Sequence, residues 1–276
     1  PDAKWGQNGG TWSNKMIFEK TATRSGVLEP VYSGLPSDAF GGSTFLGKPH
    51  YNSGAAPLFN KLYISWWYKP SMSPAVEEAS NKFLRVWDDG NGKGTRISWT
   101  QMHMDCSLYS PTEVHQVQWK GWGGVVGEWN RQEAYAGLNV GQFRTWINGD
   151  MTHDFACEKS PAFPEKPLFV GVLGFDHGGY DDGRPKGYRN MKTRLDDIYI
   201  ANSLARIEIS DSPTWLAAKK REVLPIKTWA PNKIEATMLK GVLGSATSLY
   251  AYVVGADGQV NDVGIKLVCH GSRTCR

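Results

Sequence analysis

Gln101, His103, Arg131, Glu133 and Tyr135 carry the side chains from which proton-transfer chemistry is built. An imidazole takes up a proton near neutral pH, a guanidinium grips a carboxylate through a two-pronged hydrogen bond, and a primary amide adds one more. Such a set suits removal of a proton next to a carboxylate. Arg131 and Gln101 would hold and neutralise that carboxylate, His103 would be the base, and Tyr135 or Tyr188 would return a proton to the leaving oxygen. Trp99, Trp129 and Trp67 are candidates to stack on flat apolar ligand faces, with Asp105, Arg144 and His177 as polar contacts. The alternative is that Gln101, His103, Arg131 and Glu133 form a hydrogen-bonded network without a catalytic role.

These residues need strands to position them. Residues 95–105, 129–138 and 142–148 read as three strands in succession, and side chains two apart on a strand share a face. Trp99, Gln101, His103 and Asp105 therefore fall on one face of the first, and Trp129, Arg131, Glu133 and Tyr135 on one face of the second. If the two strands are neighbours, they build one polar, aromatic floor. Asn148-Gly149-Asp150 is a tight hairpin turn, and residues 88–94 are a hairpin connection that lacks the closing acidic residue of a calcium loop. Residues 62–69 alternate so that both faces are covered, and residues 168–175 form a nearly continuous apolar strand. Residues 195–201 close this β-domain.

The remaining composition agrees with an all-β chain. Its 31 glycines and 15 prolines are spread between aromatic and β-branched runs, and helical periodicity surfaces only near residues 74–81 and 213–220. The chain divides into a large domain over residues 1–219 and a small immunoglobulin-like, β-sandwich-like module over 220–276. A formal net charge of +4 with no long basic run does not call for nucleic acid. No apolar run reaches the roughly 18 residues of a spanning helix, so no membrane span is expected. The first residue is Pro1, which suggests a removed leader or a boundary upstream. Four cysteines allow the pairs Cys106–Cys157 and Cys269–Cys275, as in a secreted or periplasmic protein, or four thiols; no zinc-ligand spacing accompanies them. Asp176, His177, Asp181 and Asp182 make either an oxygen-rich site or a solvated turn.

The run Tyr63-Ile64-Ser65-Trp66-Trp67-Tyr68, then Gln101-Met102-His103, then Trp129 with Phe143-Arg144-Thr145-Trp146-Ile147-Asn148-Gly149, then Leu195-Asp196-Asp197-Ile198-Tyr199-Ile200 resembles the concanavalin A-like jelly roll over about residues 15–209. That resemblance implies a two-sheet antiparallel sandwich with a glycan-binding concave face. Within the superfamily, Gln101 with His103 and Arg131 with Glu133 are similar to the Gln-x-His and Arg-x-Glu pairs of polysaccharide lyases of the heparin-lyase and alginate-lyase type. Their order along the chain is reversed here, and residues 168–174 lack the late Lys and Tyr of those families. The resemblance implies β-elimination on an acidic, uronic-acid-containing polysaccharide, with no cofactor for catalysis. It also suggests a structural calcium held by Asp196 or Asp197. A non-catalytic glycan-binding or adhesion module is the second reading. A glycoside hydrolase using Glu133 and Asp105 is the third, although the Glu-x-Asp-x-x-Glu strand of jelly-roll glucanases is missing. A monomer is expected, with an anionic polysaccharide as partner.

Overall fold

A computed structural model describes residues 16–19, 29–33, 44–46, 61–75, 82–87, 95–108, 116–137, 141–157, 169–176, 192–270 and 274–275, the first three segments as backbone. In chain order the larger part contains β1 (Met16–Glu19), β2 (Glu29–Ser33), β3 (Thr44–Leu46), β4 (Lys61–Pro70), β5 (Lys82–Trp87), β6 (Thr95–Thr100), β7 (His103–Leu108), β8 (Gln116–Trp119), β9 (Asn130–Gly137), β10 (Gln142–Ile147), β11 (Asp150–Ala156), β12 (Phe169–Asp176) and β13 (Lys192–Ala201). The rest contains β14 (Arg206–Ser210), β15 (Arg221–Val223), β16 (Ile226–Ala230), β17 (Lys233–Ala236), β18 (Leu249–Val254), β19 (Ile265–Leu267), β20 (Cys269–His270) and β21 (Thr274–Cys275).

The first thirteen strands form a two-sheet antiparallel jelly-roll sandwich. One sheet has the order β1-β2-β13-β4-β9-β10-β11 and the other β3-β12-β5-β6-β7-β8. Alternation on β4 explains their stacking: Leu62, Ile64, Trp66 and Tyr68 face the second sheet, where Phe83, Val86, Ile97, Trp99 and Leu173 meet them. Trp66 and Phe83 each pack edge-on against Trp99, with ring centroids 5.8 and 5.9 Å apart. The expected Cys106–Cys157 disulfide is present and ties β7 of one sheet to the end of β11 in the other. Cys269 lies opposite Cys275 in the β20–β21 register; their side chains are outside the described residues.

Two expectations about strands are corrected. Residues 95–105 do not make one strand. They make β6 and β7, joined at Gln101 and Met102, with the Thr100 hydroxyl accepting the amide N–H groups of Met102 and His103 at 3.2 and 3.0 Å. Nor are β6 and β9 neighbours: β9 pairs with β4 and β10, whereas β6 and β7 belong to the opposite sheet. Periodicity reports which residues share a face and is silent on which sheet a strand joins. The floor expected from the two strands together therefore divides between two faces of the sandwich.

The C-terminal unit begins upstream of residue 220. β14 pairs with β15 and β18 in a sheet of order β15-β14-β18-β19, beside a β16–β17 hairpin. Ile209, Leu224, Leu243 and Leu249 form its small core. Residues 213–220 form turns, and the one helical segment among the described residues is the 3-10 turn Gly241–Leu243.

Candidate functional site

The outward face of the seven-stranded sheet carries Tyr63, Ser65 and Trp67 from β4 and Arg131, Glu133 and Tyr135 from β9, aligned by the register Tyr63↔Tyr135, Ser65↔Glu133 and Trp67↔Arg131. The C-terminal unit covers this face. Arg131 and Glu133 are each 1% exposed, and Glu208 of β14 is fully buried against them. The Glu208 carboxylate accepts from Arg131 Nη1 at 2.7 Å and Nη2 at 3.0 Å, from Arg206 Nε at 2.6 Å and from Arg221 Nε at 2.9 Å. Burial pushes that carboxyl up, but the three guanidiniums outweigh it and hold Glu208 well below the usual carboxylate range.

The second carboxylate of the cluster is Glu133. Its Oε1 accepts from the Tyr63 hydroxyl at 2.6 Å and from Arg131 Nη2 at 3.0 Å, and its Oε2 lies 3.6 Å from Arg221 Nη2. Burial raises the Tyr63 phenol far above its ordinary range, so it donates as a neutral hydroxyl. Burial likewise works against the charge of Arg131, yet Glu133 and Glu208 keep it protonated. Arg206 stacks over Tyr63 at 4.2 Å and Arg221 over Trp215 at 4.0 Å. At the margin, Trp67 Nε1 donates to Glu222 Oε2 at 3.0 Å. Arg131, Glu133, Tyr135 and Trp67 are thus brought together, but in the contact that holds the C-terminal unit on the sandwich. Each charge among Arg131, Arg206, Arg221, Glu133 and Glu208 has an opposite charge within reach, as a buried ionic contact requires.

The opposite outward face, on the six-stranded sheet, is built differently. Register places Val172, Arg85, Ser98, Asp105 and Val117 in one row across β12, β5, β6, β7 and β8. Arg96 lies two residues from Ser98, and His103 two from Asp105, on that same face. His103 Nε2 is 3.6 Å from Asp105 Oδ2, and the His103 ring packs against Trp119 with centroids 4.6 Å apart. His103 Nδ1 has no hydrogen-bond partner among the described residues. Trp119 is 67% exposed on the edge strand β8, an aromatic surface offered to solvent beside the His103 imidazole.

The other expected site residues lie apart from both clusters. Trp99 is buried in the core, and Gln101 is buried in the β6–β7 turn, where its backbone carbonyl accepts from the Trp122 amide. Trp129 is half-buried just before β9. Arg144, half-buried, pairs with Asp154 at 3.2 Å at the β10–β11 edge. Tyr188 and His177, with Asp181 and Asp182, lie outside the described residues. Asp196 is buried, its Oδ1 accepting the Asp197 amide at 2.7 Å, and Asp197 adopts φ of 42° at a bulge in β13. Among the described residues no group of three His, Cys, Asp or Glu side chains gathers. Glu133 and Asp105 face opposite sides of the sandwich, which removes the pairing a glycoside hydrolase needs.

Arg85, Arg96 and Trp119 were not among the expected site residues. The sequence carries a signal for the first two. They flank the turn-rich residues 88–94, and in a hairpin the residues on either side of the turn come to lie together.

No protein-family model matches the chain, and no curated protein sequence matches it. Among solved structures, the chain is similar to the endo-beta-1,4-glucuronan lyase from the fungus Trichoderma reesei at 13% identity, with a TM-score of 0.47 over 72% of this chain and 93% of that one. It is similar to alginate lyase A1-II', a member of polysaccharide lyase family-7, at 9% identity and a TM-score of 0.45, over 68% of this chain and 83% of that one. A botulinum neurotoxin serotype D/C binding domain gives 10% identity and a TM-score of 0.42 over 85% of this chain; the chain spans 64% of that domain.

Proposed function

We propose that this chain is an exported polysaccharide lyase acting on an acidic polysaccharide, with its chemistry on the outward face of the six-stranded sheet. The observation that carries this reading is the grouping of His103, Asp105 and the exposed Trp119 on the face shared by Arg85 and Arg96. In this scheme a uronic acid ring stacks on Trp119, and Arg85 or Arg96 neutralises its carboxylate, which acidifies the adjacent C–H. His103 removes that proton, its imidazolium stabilised by Asp105. The electron pair forms the ring double bond, the bond from carbon to the glycosidic oxygen breaks, and that oxygen takes a proton from an acid. Burial raises the Tyr135 phenol and the C-terminal unit covers it, so Tyr188 is the remaining tyrosine of the two considered for that last step. Arg131 and Glu133 have a structural role in this scheme.

The second reading, a glycan-binding module without turnover, is favoured by Trp119 itself, since an exposed ring on an edge strand is enough for stacking. A screen against alginate, polyglucuronate, heparin-like, pectic and neutral glucans separates the two. Ultraviolet absorbance from unsaturated ends supports the lyase; retention of a polymer without product supports the binder and removes the lyase.

A further inference from the structure

The C-terminal unit holds a cavity that the proposed chemistry does not use. β14 ends at Ser210, β15 begins at Arg221 and β18 begins at Leu249, and register sets Arg221 and Tyr250 on either side of Ser210. The segments leaving these three strand ends border a half-open depression of about 390 Å³ lined by Asp211, Lys220, Leu243, Ser245, Thr247 and Ser248. That volume falls within the range of about 300–1,000 Å³ typical of small-molecule sites. Val242 and Ala246 add apolar surface beside Leu243. The Val242 amide donates to Glu222 Oε1 at 2.7 Å, and the other oxygen of Glu222 accepts from Trp67 on the seven-stranded sheet. One wall of the cavity is therefore anchored to the sandwich.

We infer that this cavity is a second saccharide-binding site that takes one acidic sugar residue; the acidic class rests on the function proposed above. The lining offers one cation, one carboxylate and three hydroxyls. The Lys220 ammonium pairs with the sugar carboxylate, Asp211 accepts from sugar hydroxyls, and Ser245, Thr247 and Ser248 exchange hydrogen bonds with the rest. Val242, Leu243 and Ala246 receive the C–H face of the ring.

The test is a ligand-detected NMR titration of the full chain with sodium glucuronate, glucose and glucosamine, on wild type, Lys220→Ala, Asp211→Asn and His103→Ala. Glucuronate should bind wild type and His103→Ala, with at least about fivefold weaker binding in Lys220→Ala and Asp211→Asn; glucose and glucosamine should bind at least about fivefold more weakly than glucuronate. Wild-type affinity in both cavity variants, equal binding of either comparison sugar, or no glucuronate binding at all overturns the inference. Its failure is distinguishable from failure of the lyase reading: the first leaves wild type releasing unsaturated product, and the second leaves the titration intact with no product formed.

Discussion

Replacing Glu208 by Gln tests how the two parts of the chain are held together. The carboxylate accepts four hydrogen bonds from three buried guanidinium groups, and the amide would keep the shape, lose the charge and turn N–H donors toward other donors. Breaking one partner out of a buried ionic contact costs about 3–5 kcal/mol. Against a total stability of about 5–15 kcal/mol, this is a large loss. For a chain of this size it lowers Tm by about 6–20 °C. The pH dependence follows from the depressed folded-state pKa. The contribution is fully present above the ordinary carboxylate value of 4.5 and is lost as pH falls below it toward the folded-state value. Glu208→Gln should therefore be less stable than wild type at pH 7, and the two should converge in acid. The assay is thermal and urea unfolding followed by tryptophan fluorescence, with a double-mutant cycle between Arg131→Met and Glu208→Met. Coupling of several kcal/mol in that cycle is expected if the network acts as one unit. Loss of less than about 1 kcal/mol in Glu208→Gln at pH 7 would refute the reasoning, because it is the magnitude typical of an exposed pair.

Three further outcomes are expected. His153 is buried beside Trp99 with its Nδ1 2.6 Å from the Thr145 hydroxyl, and burial pushes its imidazole down from 6.5 to about 4. The unfolded chain then binds the extra proton in that interval, so wild type should lose about 3 kcal/mol more than His153→Gln between pH 7 and pH 4, measured by urea unfolding across pH. Replacing Cys106 and Cys157 by Ser should cost about 2–5 kcal/mol, read as a lowered urea midpoint. Trp119→Ala should weaken binding of an acidic polysaccharide about tenfold in affinity electrophoresis while Tm stays within about 2 °C, since the ring is exposed and its loss costs stacking alone.

The fold was legible where local chemistry speaks for itself. The Asn148-Gly149-Asp150 turn is present, with positive φ at Asn148 and Gly149, and Gly149 has a second reason to be there: a Cβ would meet Arg221 Nη1 at 2.9 Å. The alternation of β4, read as covered on both faces, is borne out by the core on one side and the C-terminal unit on the other. The turn at Gln101 and Met102 has no signature in the sequence because it contains no Gly, Pro, Asn or Asp; a Thr hydroxyl stabilises it instead. Arg131 and Glu133 read as a solvent-facing polar pair because the charges that complete their network, Glu208 against Arg131 and Arg206 and Arg221 against Glu133, lie far along the chain and carry no local signal. Charges that neutralise one another across two units look, in the sequence, like charges on a surface.

The most direct measurement is the initial rate of ultraviolet absorbance on the acidic polysaccharide that wild type degrades, compared with His103→Ala. The account predicts that wild type releases unsaturated ends and that His103→Ala is slower by at least about 100-fold at an unchanged Tm. A wild-type rate in His103→Ala, or no unsaturated product from wild type on any acidic polymer of the screen, would contradict it.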